Sequence, residues 1–331
     1  MSIKVIDLFC GCGGFSKGLI DSGCNVLAGI DIWDKAVETY QKNLNHLSFC
    51  KDLKEYSPQD FARDSGIQDV DLIVGGPPCQ GFSMAGRRQS TDPRNSLFME
   101  YVKYIDHFKP KAFVMENVVG ILSMKTENNE KVVDIILRHL NKDYNCKYYK
   151  LLASDYEVPQ NRRRVLFIGF RKDLNIEPTQ PETVTANSHI PVKTVIIPRE
   201  QIDKSYYLSQ RALDGIAQKK KKMLEKNYGF GAQYLDMNKP SYTIPARYWK
   251  DGYDALVKYT DTEIRRLTPL ELQRIQTFPN TYEFVGTKKD IIMQIGNAVP
   301  CKLGYHIGQY MLKKLTISSI INFSTDNNET N

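Results

Sequence analysis

A chain of 331 residues, 41% hydrophobic and 25% charged, can bury a globular core in one large or two smaller domains. Its seven cysteines are an odd set without a CxxC pair, which argues against a disulfide framework and a zinc site, so no metal is expected. No apolar run approaches the ~18 residues of a membrane span, the start lacks the pattern of a signal peptide, and the expectation is a soluble cytoplasmic protein whose net charge of +7 is compatible with a nucleic-acid partner.

Residues 3–9 form the first predicted strand, with Ile3, Val5, Ile6, Leu8 and Phe9 apolar. It runs into Cys10-Gly11-Cys12-Gly13-Gly14 and then a helix pattern carried by Phe15, Leu19 and Ile20. Strand, glycine loop and helix open a doubly wound nucleotide-binding fold, although the GxGxxG spacing of dinucleotide binders is missing. The second strand, 25–30, ends at Asp31, about 20 residues past the loop, where a carboxylate accepts hydrogen bonds from ribose hydroxyls. A helix over 35–43 follows, then a strand over 47–50 that leads to Asp52 and Leu53, and a helix over 58–63.

The stretch Gly75 to Ser83, GGPPCQGFS, follows the apolar strand 70–74. Two glycines and two prolines stop the ladder, so Cys79 falls in the loop at a strand's carboxyl end, where α/β proteins place their chemistry. Arg87, Arg88 and Arg94 then make a basic loop. A helix over 97–108 and a strand over 112–115 lead to Glu116-Asn117-Val118, again a carboxylate at a strand end. Helix 131–140, strand 146–152 and strand 165–170 complete this half. Arg162, Arg163 and Arg164 directly precede that last strand, and at least one of them should point inward toward an anion or a carbonyl.

Character changes after about Asn175. Residues 178–198 are rich in Pro, Thr and Ser; 210–224 reads as a helix with a lysine run; 228–249 is aromatic and turn-rich, and Trp249-Lys250-Asp251-Gly252 reads as a hairpin signal. Thr268-Pro269-Leu270-Glu271 is a capping-box start for a helix reaching 278. Gly296-Asn297-Ala298-Val299-Pro300 opens a last helix over 302–315, and the tail from 318 is polar.

With these motifs in order, the chain resembles the DNA (cytosine-5)-methyltransferase family of the bacterial and phage restriction–modification type. The matching stretches are DLFCGCGG at Asp7, GGPPCQGFS at Gly75, ENV at Glu116, QNRRR at Gln160, RRLTPLE at Arg265 and GNAVP at Gly296. The resemblance implies an α/β fold: a doubly wound, Rossmann-like methyltransferase domain over 1–178, a small irregular, β-rich target-recognition domain over 179–290, and a segment 291–331 returning to the first. It implies S-adenosylmethionine over Phe9, Gly11, Cys12 and Gly14, with Asp31 on the ribose, Ile32 against the adenine and Asp52 on its amine. Leu53, Gly76, Pro78, Leu97, Asn297 and Ala298 complete the implied cofactor contacts. Many relatives carry an aromatic residue at the Ile32 position.

The implied chemistry explains the side chains. Cytosine carbon 5 is a poor nucleophile until a thiolate adds to carbon 6, and Cys79 is placed to do this. Glu116 is expected on ring nitrogen 3 and the exocyclic amine, Arg164 on the base carbonyl, and Arg162 in support of that loop or a phosphate. The target atoms are stacked inside a duplex, so the base must be flipped out. Gln80, Ser83, Arg87, Arg94, Thr243, Arg247, Tyr248 and Lys250 are the expected DNA contacts, with Tyr248 and Trp249 serving equally well as core of the small domain. The implied partners are double-stranded DNA and a cognate restriction endonuclease acting separately, with a monomer expected and no membrane. The alternative is a tRNA cytosine-5 methyltransferase, since a related eukaryotic family shares the catalytic order but favours threonine at the Ser83 position. A nicotinamide dehydrogenase would rest on the glycine loop alone.

Overall fold

A computed structural model describes residues 2–78, 97–126, 129–225 and 232–326. The chain divides into two compact units. The first comprises Met1–Leu151, Arg163–Glu182 and Leu303–Asn331; the second comprises Leu152–Arg162 and Thr183–Lys302.

The strands are β1 (Lys4–Leu8), β2 (Asn25–Asp31), β3 (Leu47–Cys50), β4 (Leu72–Gly75), β5 (Ala112–Val118), β6 (Tyr144–Leu152), β7 (Gln160–Asn161), β8 (Arg163–Arg171), β9 (Ser241–Tyr242), β10 (Leu256–Lys258) and β11 (Ile264–Arg266). The helices are α1 (Gly14–Asp21), α2 (Asp34–Asn43), α3 (Pro58–Ser65), α4 (Leu97–Phe108), α5 (Val132–Leu140), α6 (Gln210–Glu225), α7 (Pro269–Ile275), α8 (Lys288–Asn297) and α9 (Cys301–Asp326).

The first unit is built on a sheet of order β3-β2-β1-β4-β5-β8-β6. Strands β1 to β5 pair in parallel, and β8 pairs antiparallel with β5. The central strands β1 and β4 are nearly continuous apolar runs because both faces are covered, as parallel sheets require. Ile6, Leu8, Ile73, Tyr101, Phe113 and Phe167 are among its fully buried core residues, each worth roughly 1.5–3 kcal/mol on burial. The order of connection reverses between β1 and β4, so the loops leaving their carboxyl ends diverge and open a crevice there. One of those loops carries Phe9 to Gly13 and the other carries Gly76 to Pro78.

The second unit is largely irregular, with the hairpin β10–β11, the short parallel pair β7–β9, and α6, α7 and α8. Its main core gathers Ile244, Tyr248, Val257, Leu267, Leu272 and Ile295. Both α7 and α8 start with capping boxes, Thr268 with Glu271 and Thr287 with Asp290. The hairpin lies at β10–β11, whereas Ala246–Trp249 coils into a single 3-10 turn ahead of Gly252. The unit also takes in 152–162 and 291–302, beyond the expected limits of 179 and 290, because buried side chains tie these segments together. The last helix runs on to Asp326, past the expected end at 315. Among the described residues, no helix is long and apolar enough to cross a membrane.

Candidate active site

The glycine loop takes a shape that few sequences can adopt. Phe9, Gly11 and Gly13 have φ of 58°, 54° and 89°, and a non-glycine residue held at positive φ is a mark of functional sites. The loop is fastened by Cys10 N–H donating to Ile30 O (3.0 Å) and Gly11 N–H donating to Asp31 Oδ2 (2.8 Å). Gly14 begins α1. A Cβ at Gly11 would meet nothing within 4 Å among the described residues. Cys10 and Cys12 are buried, and burial pushes both thiols far above their ordinary range, which leaves them inert.

Asp31 ends β2, and its Oδ1 accepts from Trp33 N–H at 2.9 Å. With Gly11 on the other oxygen the carboxylate still has accepting capacity for ribose hydroxyls. Burial pushes its carboxyl up, against the pull of those backbone donors. Ile32 beside it is 65% exposed, an apolar surface suited to an adenine ring. Asp52 accepts from Lys54 N–H at 3.0 Å and is half-buried, Leu53 is buried, Leu97 is half-buried at the start of α4, and Pro78 is exposed. Backbone donors, a carboxylate and an exposed aliphatic face together fit an adenosyl group.

A candidate catalytic centre lies at the ends of β4, β5 and β8. Register sets Val118 opposite Arg164 and Glu116 opposite Leu166. Glu116 and Arg164 are therefore diagonal neighbours on one face of the sheet, within reach of long side chains. They form an ion pair with Nε 2.6 Å from Oε1, and their side chains are 13% and 12% exposed. A Cβ at Gly76 would stand 3.3 Å from Glu116 Oε2, so the missing side chain at 76 makes room for this carboxylate. Asn117 Nδ2 donates to Pro77 O at 3.0 Å and ties β5 to the proline turn. Asn117 carried no role in the sequence; the contact spans 40 positions, and only the neighbouring strands bring it about. Cys79, Gln80, Ser83, Arg87 and Arg94 lie outside the described residues.

The remaining expected residues belong to the second unit. Arg162 is 2% exposed and donates to Ile244 O (3.3 Å) and Gly296 O (3.0 Å). Arg162 thus ties its own segment to those of Ile244 and Gly296, contacts in keeping with a supporting role. Gln160 joins the same network: it donates to Gln276 Oε1 and accepts from Ile244 N–H. Thr243 Oγ1 donates to Asn161 O at 2.8 Å. Tyr248 is 2% exposed, with its hydroxyl donating to Ala255 O and accepting from Leu267 N–H. It is a core residue and not a DNA contact, because a phenol buried with both hydrogen-bonding roles filled has nothing left to offer a base. Arg247 is exposed and paired with Asp254, and Lys250 is exposed with its ammonium 5.7 Å from the Trp249 ring. Asn297 is exposed at the end of α8, followed by half-buried Ala298.

The fold and this pair of strand-end residues define a doubly wound methyltransferase. A family model of C-5 cytosine-specific DNA methylases matches residues 3–313, and the chain belongs to that family. The Type II methyltransferase M.DdeI of Desulfomicrobium norvegicum is 34% identical, over 90% of this chain and 86% of that protein. M.FnuDI of Fusobacterium nucleatum is 32% identical, over 95% of each. The crystal structure of the S. pombe Dnmt2 methyltransferase shares the fold, with a TM-score of 0.74 at 20% identity over 95% of this chain and 99% of that one. The protein is a DNA (cytosine-5-)-methyltransferase, from a family that uses S-adenosylmethionine as methyl donor.

Proposed function

We propose that Cys79, Glu116 and Arg164 carry the reaction on a cytosine flipped out of duplex DNA, within one short recognition sequence. The observation that supports this most is the half-buried Glu116–Arg164 pair beside the turn that leads to Cys79. The Cys79 thiolate adds to ring carbon 6 and makes carbon 5 nucleophilic. Glu116 holds nitrogen 3 and the exocyclic amine as charge builds on the ring. Arg164 fixes the Glu116 carboxylate and reaches the base carbonyl. Once carbon 5 is methylated it loses its proton to a base such as water, the carbon–sulfur bond breaks, and the ring double bond returns.

S-adenosylmethionine, when bound, supplies the electrophilic methyl group. It would lie over Phe9, Gly11, Cys12 and Gly14, with Asp31 on the ribose, Ile32 against the adenine, Asp52 on its amine and Asn297 closing the methionine end; Leu53, Gly76, Pro78, Leu97 and Ala298 are the further contacts. The block 179–290 supplies target recognition, with Thr243, Arg247 and Lys250 and the loop residues Gln80, Ser83, Arg87 and Arg94 meeting DNA. The protein acts as a monomer in the cytoplasm, beside a separate restriction endonuclease.

Duplex DNA carrying 5-fluorocytosine at the target tests the scheme. Fluorine cannot leave as a proton does, so the methylated adduct stays attached to Cys79. A denaturation-resistant complex whose cross-linked peptide contains Cys79, absent in Cys79→Ser, is the expected result. Trapping through Cys10, Cys12 or Cys301, or trapping of tRNA in place of duplex DNA, overturns it.

A further inference from the structure

Asp7, on β1, has no task in the reaction above and is 1% exposed. Its Oδ2 accepts from Ser16 Oγ at 2.7 Å, across the whole glycine loop. Ser16 Oγ lies 2.9 Å from the Tyr40 hydroxyl, which lies 2.5 Å from His46 Nε2. Hydroxyl groups have one proton each, and this fixes the direction of the chain. Ser16 gives its proton to Asp7, so it accepts from Tyr40; Tyr40 then accepts from His46. Burial lowers His46 to about 4, so its ring is neutral near pH 7 and one tautomer donates from Nε2.

A second observation shows that the chain is built in. A Cβ at Gly29 would stand 2.4 Å from Tyr40 Cζ and 2.5 Å from its hydroxyl. Tyr40 reaches Ser16 only because β2 carries no side chain at that position. Asp7 stands before the loop and Ser16 after it, on the first turn of α1. Between them are the three residues at positive φ, Phe9, Gly11 and Gly13.

We propose that the chain His46–Tyr40–Ser16–Asp7 clasps the two ends of the glycine loop and holds it in the shape that receives S-adenosylmethionine. Asp7, Ser16 and Tyr40 are then positioning residues for the cofactor, a role that rests on the assignment of this loop to S-adenosylmethionine. The clasp also responds to pH. Burial pushes the Asp7 carboxyl up to about 7, with the Asp31 charge adding to the effect. The groups around it are Ser16 from α1, Asp31 from β2, Cys10 in the loop and Tyr101 from α4. When Asp7 is protonated it is a poorer acceptor for Ser16, and the clasp loosens.

The test is calorimetric binding of S-adenosylmethionine to the full-length protein without DNA, at pH 6 and pH 8, together with amide exchange at Gly11 and Gly13 in the unliganded protein. Wild type should bind more weakly at pH 6. Ser16→Ala should weaken binding about tenfold at pH 8, the scale of one hydrogen bond to a charged group, and should speed exchange at Gly13. Tyr40→Phe fits the same space and keeps the Ser16–Asp7 bond, so a twofold to threefold loss is expected. Asp7→Asn should make affinity the same at both pH values. If wild type binds and the variants match it in affinity, pH response and exchange, the clasp is refuted while the cofactor assignment stands. If wild type does not bind, both fall.

Discussion

Replacing Gly76 by alanine separates two roles for that position: wall of the cofactor site, or space for Glu116. The new Cβ would stand 3.3 Å from Glu116 Oε2, closer than the ordinary contact range that begins at 3.4 Å. The carboxylate cannot retreat without cost, since its other oxygen is held 2.6 Å from Arg164 Nε. A displacement of a few tenths of an ångström follows. A misplacement of about 1 Å costs on the order of 100-fold in rate, so a loss of about threefold to tenfold is expected, or about 1 kcal/mol in the barrier. The assay is single-turnover methylation of duplex DNA at saturating S-adenosylmethionine, beside a calorimetric affinity for the cofactor. Gly76→Ala should slow turnover and leave cofactor affinity within twofold of wild type. A weakened affinity with an unchanged single-turnover rate would refute this reasoning and assign Gly76 to the cofactor wall.

Arg162→Ala removes the buried donor to Ile244 O and Gly296 O; a loss of about 2–4 kcal/mol in urea unfolding is expected, and a loss under ~0.5 kcal/mol would show that these contacts contribute little. Glu271→Gln breaks a fully buried bidentate pair with Arg265; about 3–5 kcal/mol should be lost, and an unchanged denaturation midpoint contradicts that. Asp7 titrates at about 7 when folded against about 3.9 unfolded, so its protonated form favours the folded state: the contribution is full below pH ~4 and gone above ~7. Asp7→Asn lacks this decline and should gain in stability relative to wild type between pH 4 and 8; parallel unfolding free energies across that range would refute it.

Much of the first unit is legible from local chemistry. A β-branched run followed by glycines, or by Gly-Gly-Pro-Pro, ends a strand whatever surrounds it, so the loops after β1 and β4 can be located from residue types alone. Asp31 and Glu116 follow from the same rule, as carboxylates just where strands stop. The capping box at Thr268 is equally local, because its bonds span three positions. Residue pattern alone does not divide the arginines at 162 and 164, which only the family resemblance tells apart. The strand breaks between Asn161 and Arg163, so alternation does not carry across, and Arg162 is buried against carbonyls more than 80 positions away. Arg164 meets Glu116 only because β8 turns antiparallel to β5 in that register. Tyr248 reads equally as a DNA contact or as core, and the partners at Ala255 and Leu267 decide for core. Gly76 reads as a turn glycine and an implied cofactor contact, and Gly29 as a strand glycine; that a side chain there would crowd Glu116 or Tyr40 shows only in the folded chain. The identity of a residue fixes which bonds it can make, and the packing of distant strands and helices fixes which of them it does make.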